Sequence, residues 1–281
     1  MITVLAYLFY FVAASASPLQ RRWLATKREQ DNQIAFAFHT ALIIAIFGAM
    51  LPLFSPFKIH GNTTQLILLG LVCATFGSAY FITSFTAQRH VDAGVTSLVS
   101  NIYTPITIII STLFLHEGLS PLQAVGTTLL LASVVIVSKK HRLGRFKFDK
   151  YFLMVIASGV FLGILLSAER GLMKTTGFTA GTLVSWWSQC LGLGLVTLLT
   201  RSRSAYSRKD TMVTGGLKFL QAISWVTLLN LVNNLSVVSA ITTFKIVVIF
   251  GAAALLLHER EDIKRKVLGC LVALVGLLLM T

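Results

Sequence analysis

The sequence predicts an all-helical, polytopic membrane protein with ten transmembrane helices in two inverted five-helix repeats. Three observations carry that class. First, 55% of the 281 residues are hydrophobic and only 12% are charged, far below the roughly 25% charged of an average soluble domain. Second, the apolar residues fall into runs of about 20, the length of a helix that crosses a bilayer. Third, one segment occurs twice: TSLVSNIYTPITIIISTLFLHE ends at Glu117 and VSAITTFKIVVIFGAAALLLHE ends at Glu259, offset by 142 residues without a gap. Each copy is followed by a polar break and another apolar run holding a glycine, Gly126 and Gly269.

The expected spans are 2–19, 34–54, 64–87, 93–115, 120–138, 151–172, 179–200, 213–232, 237–257 and 264–280. The first opens without a preceding Lys or Arg, so Ala14-Ser15-Ala16 reads as part of a span rather than as a cleavage site. Ser120-Pro121 supplies an N-cap and a proline at the first helical position of span five. The basic link KKHRLGRFKFDK at 139–150 separates a first repeat, 1–141, from a second, 151–281, with 142–150 as the connecting loop. Small residues for close helix packing recur at Gly70 and Gly77, Gly192 and Gly194, and Gly269 and Gly276.

Charge sets the expected orientation. The odd-numbered loops carry 19 Lys and Arg and the even-numbered loops only Lys58, Arg170 and Lys174, which places the odd loops in the cytoplasm and both termini outside. The two LHE turns then face opposite sides of the membrane. HEGLSPLQ has no basic residue and HEREDIKRK has four, as an inverted repeat requires. A net charge of +14 spread over short loops anchors them at anionic headgroups and forms no nucleic-acid surface. Cys73, Cys190 and Cys270 are isolated in apolar runs, with no metal-ligand spacing.

Two basic residues lie inside spans. Lys245 is eight residues into span nine, where a cation costs roughly 2.5–3.5 kcal/mol and usually faces a cavity or a partner. Its counterpart in the first repeat is Tyr103, and the pair is the first expected substrate contact; the alternative is a lysine that snorkels to the interface. Lys218, Gln221 and Trp225 form one face of span eight at i, i+3 and i+7. Trp187, within Trp186-Trp187-Ser188-Gln189, and Asn101 and Tyr80 complete the expected site. Glu117 and Glu259 close spans four and nine beside turns and read as structural, and Glu169-Arg170 and Gln20-Arg21 read as helix ends. No GxSxG, HExxH or GxxxxGK[ST] motif is present, so no catalytic residue, metal or cofactor is expected.

These residues resemble the EamA-type carriers of the drug/metabolite transporter superfamily. The resemblance spans the whole chain through the five-plus-five repeat, Glu117 and Glu259, Gly126 and Gly269, and Pro105. His116, His258 and Val247 depart from that pattern, standing where small residues and a second proline would be expected. The resemblance implies a multi-pass inner-membrane exporter or exchanger of a small metabolite. It also implies cytoplasmic termini, against the charge count. A lysine in the site favours an amino acid or a related polar or anionic compound. The expected partners are therefore that substrate, the bilayer and a coupling proton or ion, and the mechanism is alternating access. The other class considered is an integral-membrane structural or lipid-handling protein.

Overall fold

The computed structural model describes residues 2–27, 32–59, 61–91, 93–138, 150–246, 248–249 and 263–279. Among them there is helix and no strand. The elements are α1 (Ile2–Lys27), α2 (Gln33–Gly48), α3 (Thr63–Ala87), α4 (Ala93–Ser100), α5 (Tyr103–Ile110), α6 (Pro121–Ser138), α7 (Lys150–Thr176), α8 (Phe178–Leu199), α9 (Arg208–Val232), α10 (Leu235–Thr242) and α11 (Ile263–Leu278). Among the described residues, six segments are long and apolar enough to cross a membrane: Ile2–Leu24, Gln33–Leu53, Thr63–Ala87, Lys150–Thr176, Phe178–Leu199 and Arg208–Val232.

Helix starts follow side-chain capping. Asn32, Asn62, Ser207 and Asn234 each accept a bond from a backbone N–H of the following turn, satisfying donors that a helix N-terminus leaves unpaired. At α6, Ser120 Oγ accepts from Gln123 N while Gln123 Oε1 accepts from Ser120 N, a reciprocal capping box just ahead of Pro121.

The helices are arranged inside out relative to a soluble bundle. Along α8, Thr182, Ser185 and Gln189 are buried while Leu191, Leu195 and Leu198 are exposed, because lipid solvates leucine and leaves hydroxyls and amides to bond within the protein. The α3 helix packs along α7 and α8, α2 lies against α8 and α9, α1 runs beside α9, and α5 crosses α7. The α11 helix pairs with α6.

Close approach needs glycine where α3 meets α8. A Cβ on Gly192 would stand 2.4 Å from Ala74 O and 2.4 Å from Ser78 Oγ. We expect Gly192→Ala to force these helices apart and lower stability by about 1–3 kcal/mol, read as a drop in unfolding temperature. An unchanged transition would show that the two backbones do not touch.

The expected spans four and nine are not single helices. Span four is split into α4 and α5 by a turn at Asn101–Ile102, and a π-helical turn, Ser111–Leu115, follows. Pro105 explains the first break. It sits third in α5, where a helix N–H has no partner to lose, and the Asn101 carbonyl bonds to Thr104 N at 2.9 Å in a tighter turn. Span nine begins as α10 and breaks at Thr243–Phe244. No proline stands there; Thr242 and Thr243 both donate side-chain bonds to Ser239 O at 3.0 and 3.2 Å, a pattern that bends helices. The two breaks are 142 residues apart, the offset of the sequence repeat.

The charged pairs expected at helix ends also lie elsewhere. Glu169 and Arg170 are buried within α7, which continues to Thr176, and Arg21 is buried within α1, which continues to Lys27. A burial that sequence alone makes costly is permitted by partners on other helices, at least for Glu169 and Arg170. The connecting loop at 142–149 and Glu259 lie outside the described residues.

Candidate functional site

The turn after α10 carries Lys245 inward. Its Nζ donates to Tyr103 OH at 3.1 Å and lies 3.4 Å from Tyr10 OH. The ammonium also stands 4.5 Å from the centre of the Tyr103 ring, a cation–π distance. Lys245 is 9% exposed, so its head group ends among phenols and does not snorkel to an interface. Tyr103 is held in turn by α7, where the Cβ of any residue larger than glycine at Gly163 would meet Ile106 at 2.7 Å and Tyr103 O at 3.2 Å. Tyr103 and Lys245 are counterparts in the repeated segment, and so are Asn101 and Thr243, whose side chains approach to 3.4 Å.

A cavity of about 100 Å³ opens beside Lys245. On its α9 wall, Lys218 Nζ donates to Gln221 Oε1 at 3.1 Å and lies 3.5 Å from Tyr80 OH. Lys218 is buried, although ten residues into α9 it could have been expected to reach headgroups. Trp225 lines the same wall, and its Nε1 is buried without a hydrogen-bond partner among the described residues. Across the cavity, Glu169 Oε1 accepts from Ser185 Oγ and Trp186 Nε1, both at 3.0 Å. Gln189 extends that chain by donating to Ser185 Oγ.

Of the residues expected from sequence, Lys245, Tyr103, Lys218, Gln221, Trp225 and Tyr80 line this one cavity. Asn101 does not; it is buried in the α4–α5 turn and bonded to Thr243 and Thr104. Trp187 is 39% exposed on the outer face, and its neighbour Trp186 takes the inner place, since consecutive helical residues differ by about 100°. Helices that hold none of the expected residues, α1, α2 and α7, also contribute walls. Sequence reasoning missed Tyr10 and Glu169, and from the cluster Trp186-Trp187-Ser188-Gln189 it singles out Trp187 where Trp186 and Gln189 line the cavity. Leu162, Leu165, Leu166 and Glu169 follow one helical face at i, i+3, i+4 and i+7, a signal that could have moved Glu169 from a helix end to the cavity.

One end of the bundle is tied by Glu117. Its carboxylate accepts from Arg170 Nε and Nη2 at 2.9 and 2.7 Å, from Leu235 N at 2.7 Å, and lies 3.1 Å from Lys174 Nζ. Arg170 Nη2 also donates to Asn233 Oδ1 at 2.6 Å. The carboxylate thus joins the end of the repeated segment to α7 and to the N-terminus of α10, where the helix dipole favours an anion. His116, just before it, adopts the left-handed conformation with φ 55°, which explains why a small residue would be expected there.

Apolar helices around a buried cavity of cations and aromatic donors define a multi-pass membrane protein with an internal polar site. Residues 1–139 match the model of the EamA-like transporter family, and through them the chain belongs to that family, within the drug/metabolite transporter superfamily. Among 28 matching solved chains is a crystal structure described only as that of a protein. It shares 15% identity at a TM-score of 0.67, over 98% of this chain and 97% of its own. That likeness is one of fold. No curated protein matches.

Proposed function

We propose that the protein is a secondary carrier of a small metabolite bearing an anionic group. In this reading two inverted five-helix halves rock about the cavity and expose it alternately to the two sides of an inner membrane whose cytoplasmic face meets the odd-numbered loops. The observation that carries the reading is Lys245: a buried ammonium that lines the cavity and, among the described residues, bonds only to phenols. A substrate carboxylate would offset its desolvation. The unpaired Trp225 N–H and Lys218 add donors on the same wall. Amino acids and related small acids suit such a donor-rich site.

A lipid-handling role is favoured by a different feature, a groove of about 630 Å³ between α3, α5 and α7, whose walls include Leu68, Val72, Ile110 and Phe114. Flux separates the two. In proteoliposomes loaded with standard amino acids and short dicarboxylates, the carrier reading predicts saturable counterflow of at least one solute. Absence of solute-dependent flux across the panel would leave lipid handling. In a cysteine-free background, Tyr103→Cys and Lys245→Cys should react with small water-soluble thiol reagents, and Ile109→Cys, 57% exposed on the outer face, should not. Equal protection at all three positions would place Tyr103 and Lys245 in dry helix packing and remove them from any substrate path.

A further inference from the structure

Arg170 and Arg21 occupy matching places after Glu169 and Gln20, and both are buried, at 3% and 6% exposure. Their surroundings differ. Arg170 Nε and Nη2 are engaged by Glu117 and Asn233. The Arg21 guanidinium lies 4.5 Å over the Phe85 ring, and its Nε and Nη1 have no hydrogen-bond partner among the described residues. Gln88 Oε1 is also unpartnered, but a neutral acceptor leaves the cation uncompensated.

Arg21 is not alone in this. Thr214, one turn before Lys218, donates to Gln20 Oε1 at 2.9 Å, and the rings beneath the two cations, Phe85 under Arg21 and Tyr80 near Lys218, both pack on Phe81. Lys218 and Lys245 in turn line one cavity. Three buried cations therefore run from α1 through α9 to the turn after α10, and among the described residues none of them is in an ion pair with a carboxylate. Glu169, a carboxylate in the cavity lining, is bonded to Ser185 and Trp186 instead. Like charges buried together without a counter-ion are costly, and an entering anion removes the cost.

We propose that Arg21 and Lys218 form an anion-binding station, separate from Lys245, that takes an oxyanion such as a carboxylate or a phosphate on its way between the cavity and the odd-loop end. Arg21 supplies a planar fork suited to two oxygens. Lys218 supplies a point charge, and Phe85 and Tyr80 fix the two cations from behind. The station deepens the carrier reading, but its occupancy is a binding question that does not depend on flux.

The same oxyanion chemistry could come from solution or from a lipid headgroup, and two arms distinguish them. Purified full-length protein is placed in phosphatidylcholine nanodiscs with and without inorganic phosphate, and in phosphatidylglycerol nanodiscs without it. Saturating phosphate should raise the unfolding temperature of the wild type by about 3 °C. The shift should vanish in Arg21→Gln and persist in part in Arg21→Lys. Arg21→Gln without anion should be no less stable than wild type, because it removes an uncompensated charge. An Arg21-dependent shift only in phosphatidylglycerol supports the same station with a lipid source. Equal responses of wild type and Arg21→Gln in both arms overturn the station. So does a large loss of stability in Glu259→Gln that Arg21→Gln reverses, since the anion would then be this chain's own carboxylate. Wild-type flux with no anion response sinks the station and spares the carrier reading, and the converse result spares the station.

Discussion

Lys245→Met is expected to leave the protein folded and to cut transport by about tenfold to a hundredfold, the worth of one or two charge-assisted bonds to a desolvated anion. Methionine keeps most of the stem's volume. What disappears is the ammonium that now bonds Tyr103 and lies near Tyr10. The Tyr103 oxygen is not stranded, because it also lies 3.3 Å from Thr242 Oγ1. Stability should be unchanged or slightly higher, since an ion in the empty cavity no longer has to be desolvated. Lys245→Arg should restore only part of the flux, because a wide guanidinium cannot take the position of a compact ammonium between two rings. The measurement is initial counterflow by purified variants at matched yield and unfolding temperature. Wild-type flux in the Met variant would end the case for Lys245.

Glu117→Gln should produce the largest loss of stability in the chain, about 3–5 kcal/mol, because it leaves Arg170 as a buried cation facing a neutral amide. Removing both charges in Glu117→Gln with Arg170→Gln should recover much of that loss. A simple additive loss would mean that the two groups act independently. The pH dependence follows from the same geometry. Burial pushes the Glu117 carboxyl up, but the bonds from Arg170, Leu235 N and Lys174 outweigh it and hold the group below the ordinary carboxylate range. A lowered folded value means that the contribution is complete above the free-glutamate value of about 4.3 and is lost as pH falls through the folded value. The Gln variant should be flat across that acid window. An acid response identical to wild type would show that the tie does not set it.

Much of the fold was legible because lipid imposes simple rules. Span length, loop charge and the 142-residue repeat are sequence properties, and the positions of α1, α2, α3, α7, α8 and α9 follow from them. The breaks at Asn101 and Thr243 were less legible. Pro105 signals one, but the other rests on threonine side chains bonding back to Ser239, a choice made by packing. Within the site, Lys245, Lys218 and Tyr103 stood out because charge and phenol are conspicuous in an apolar run. Tyr10 and Glu169 did not, because their roles depend on helices distant in sequence: Tyr10 faces Lys245 across 235 residues. Trp187 was preferred to Trp186 because the tryptophan pair marks the place without showing which ring turns inward.

A residue on the two-fold axis of a symmetric dimer meets its own copy, so whatever occupies that place must tolerate itself. A lysine there would face a lysine. The meeting of Tyr103 with Lys245, and of Asn101 with Thr243, 142 residues apart in both cases, shows what a single chain allows instead. The repeated segment is written twice in the sequence and need not be written alike, so one copy can carry a phenol and the other an ammonium held at 3.1 Å from it. Two identical subunits could put a cation at such a centre only as a repelling pair; one polypeptide can put it there with a partner of its own.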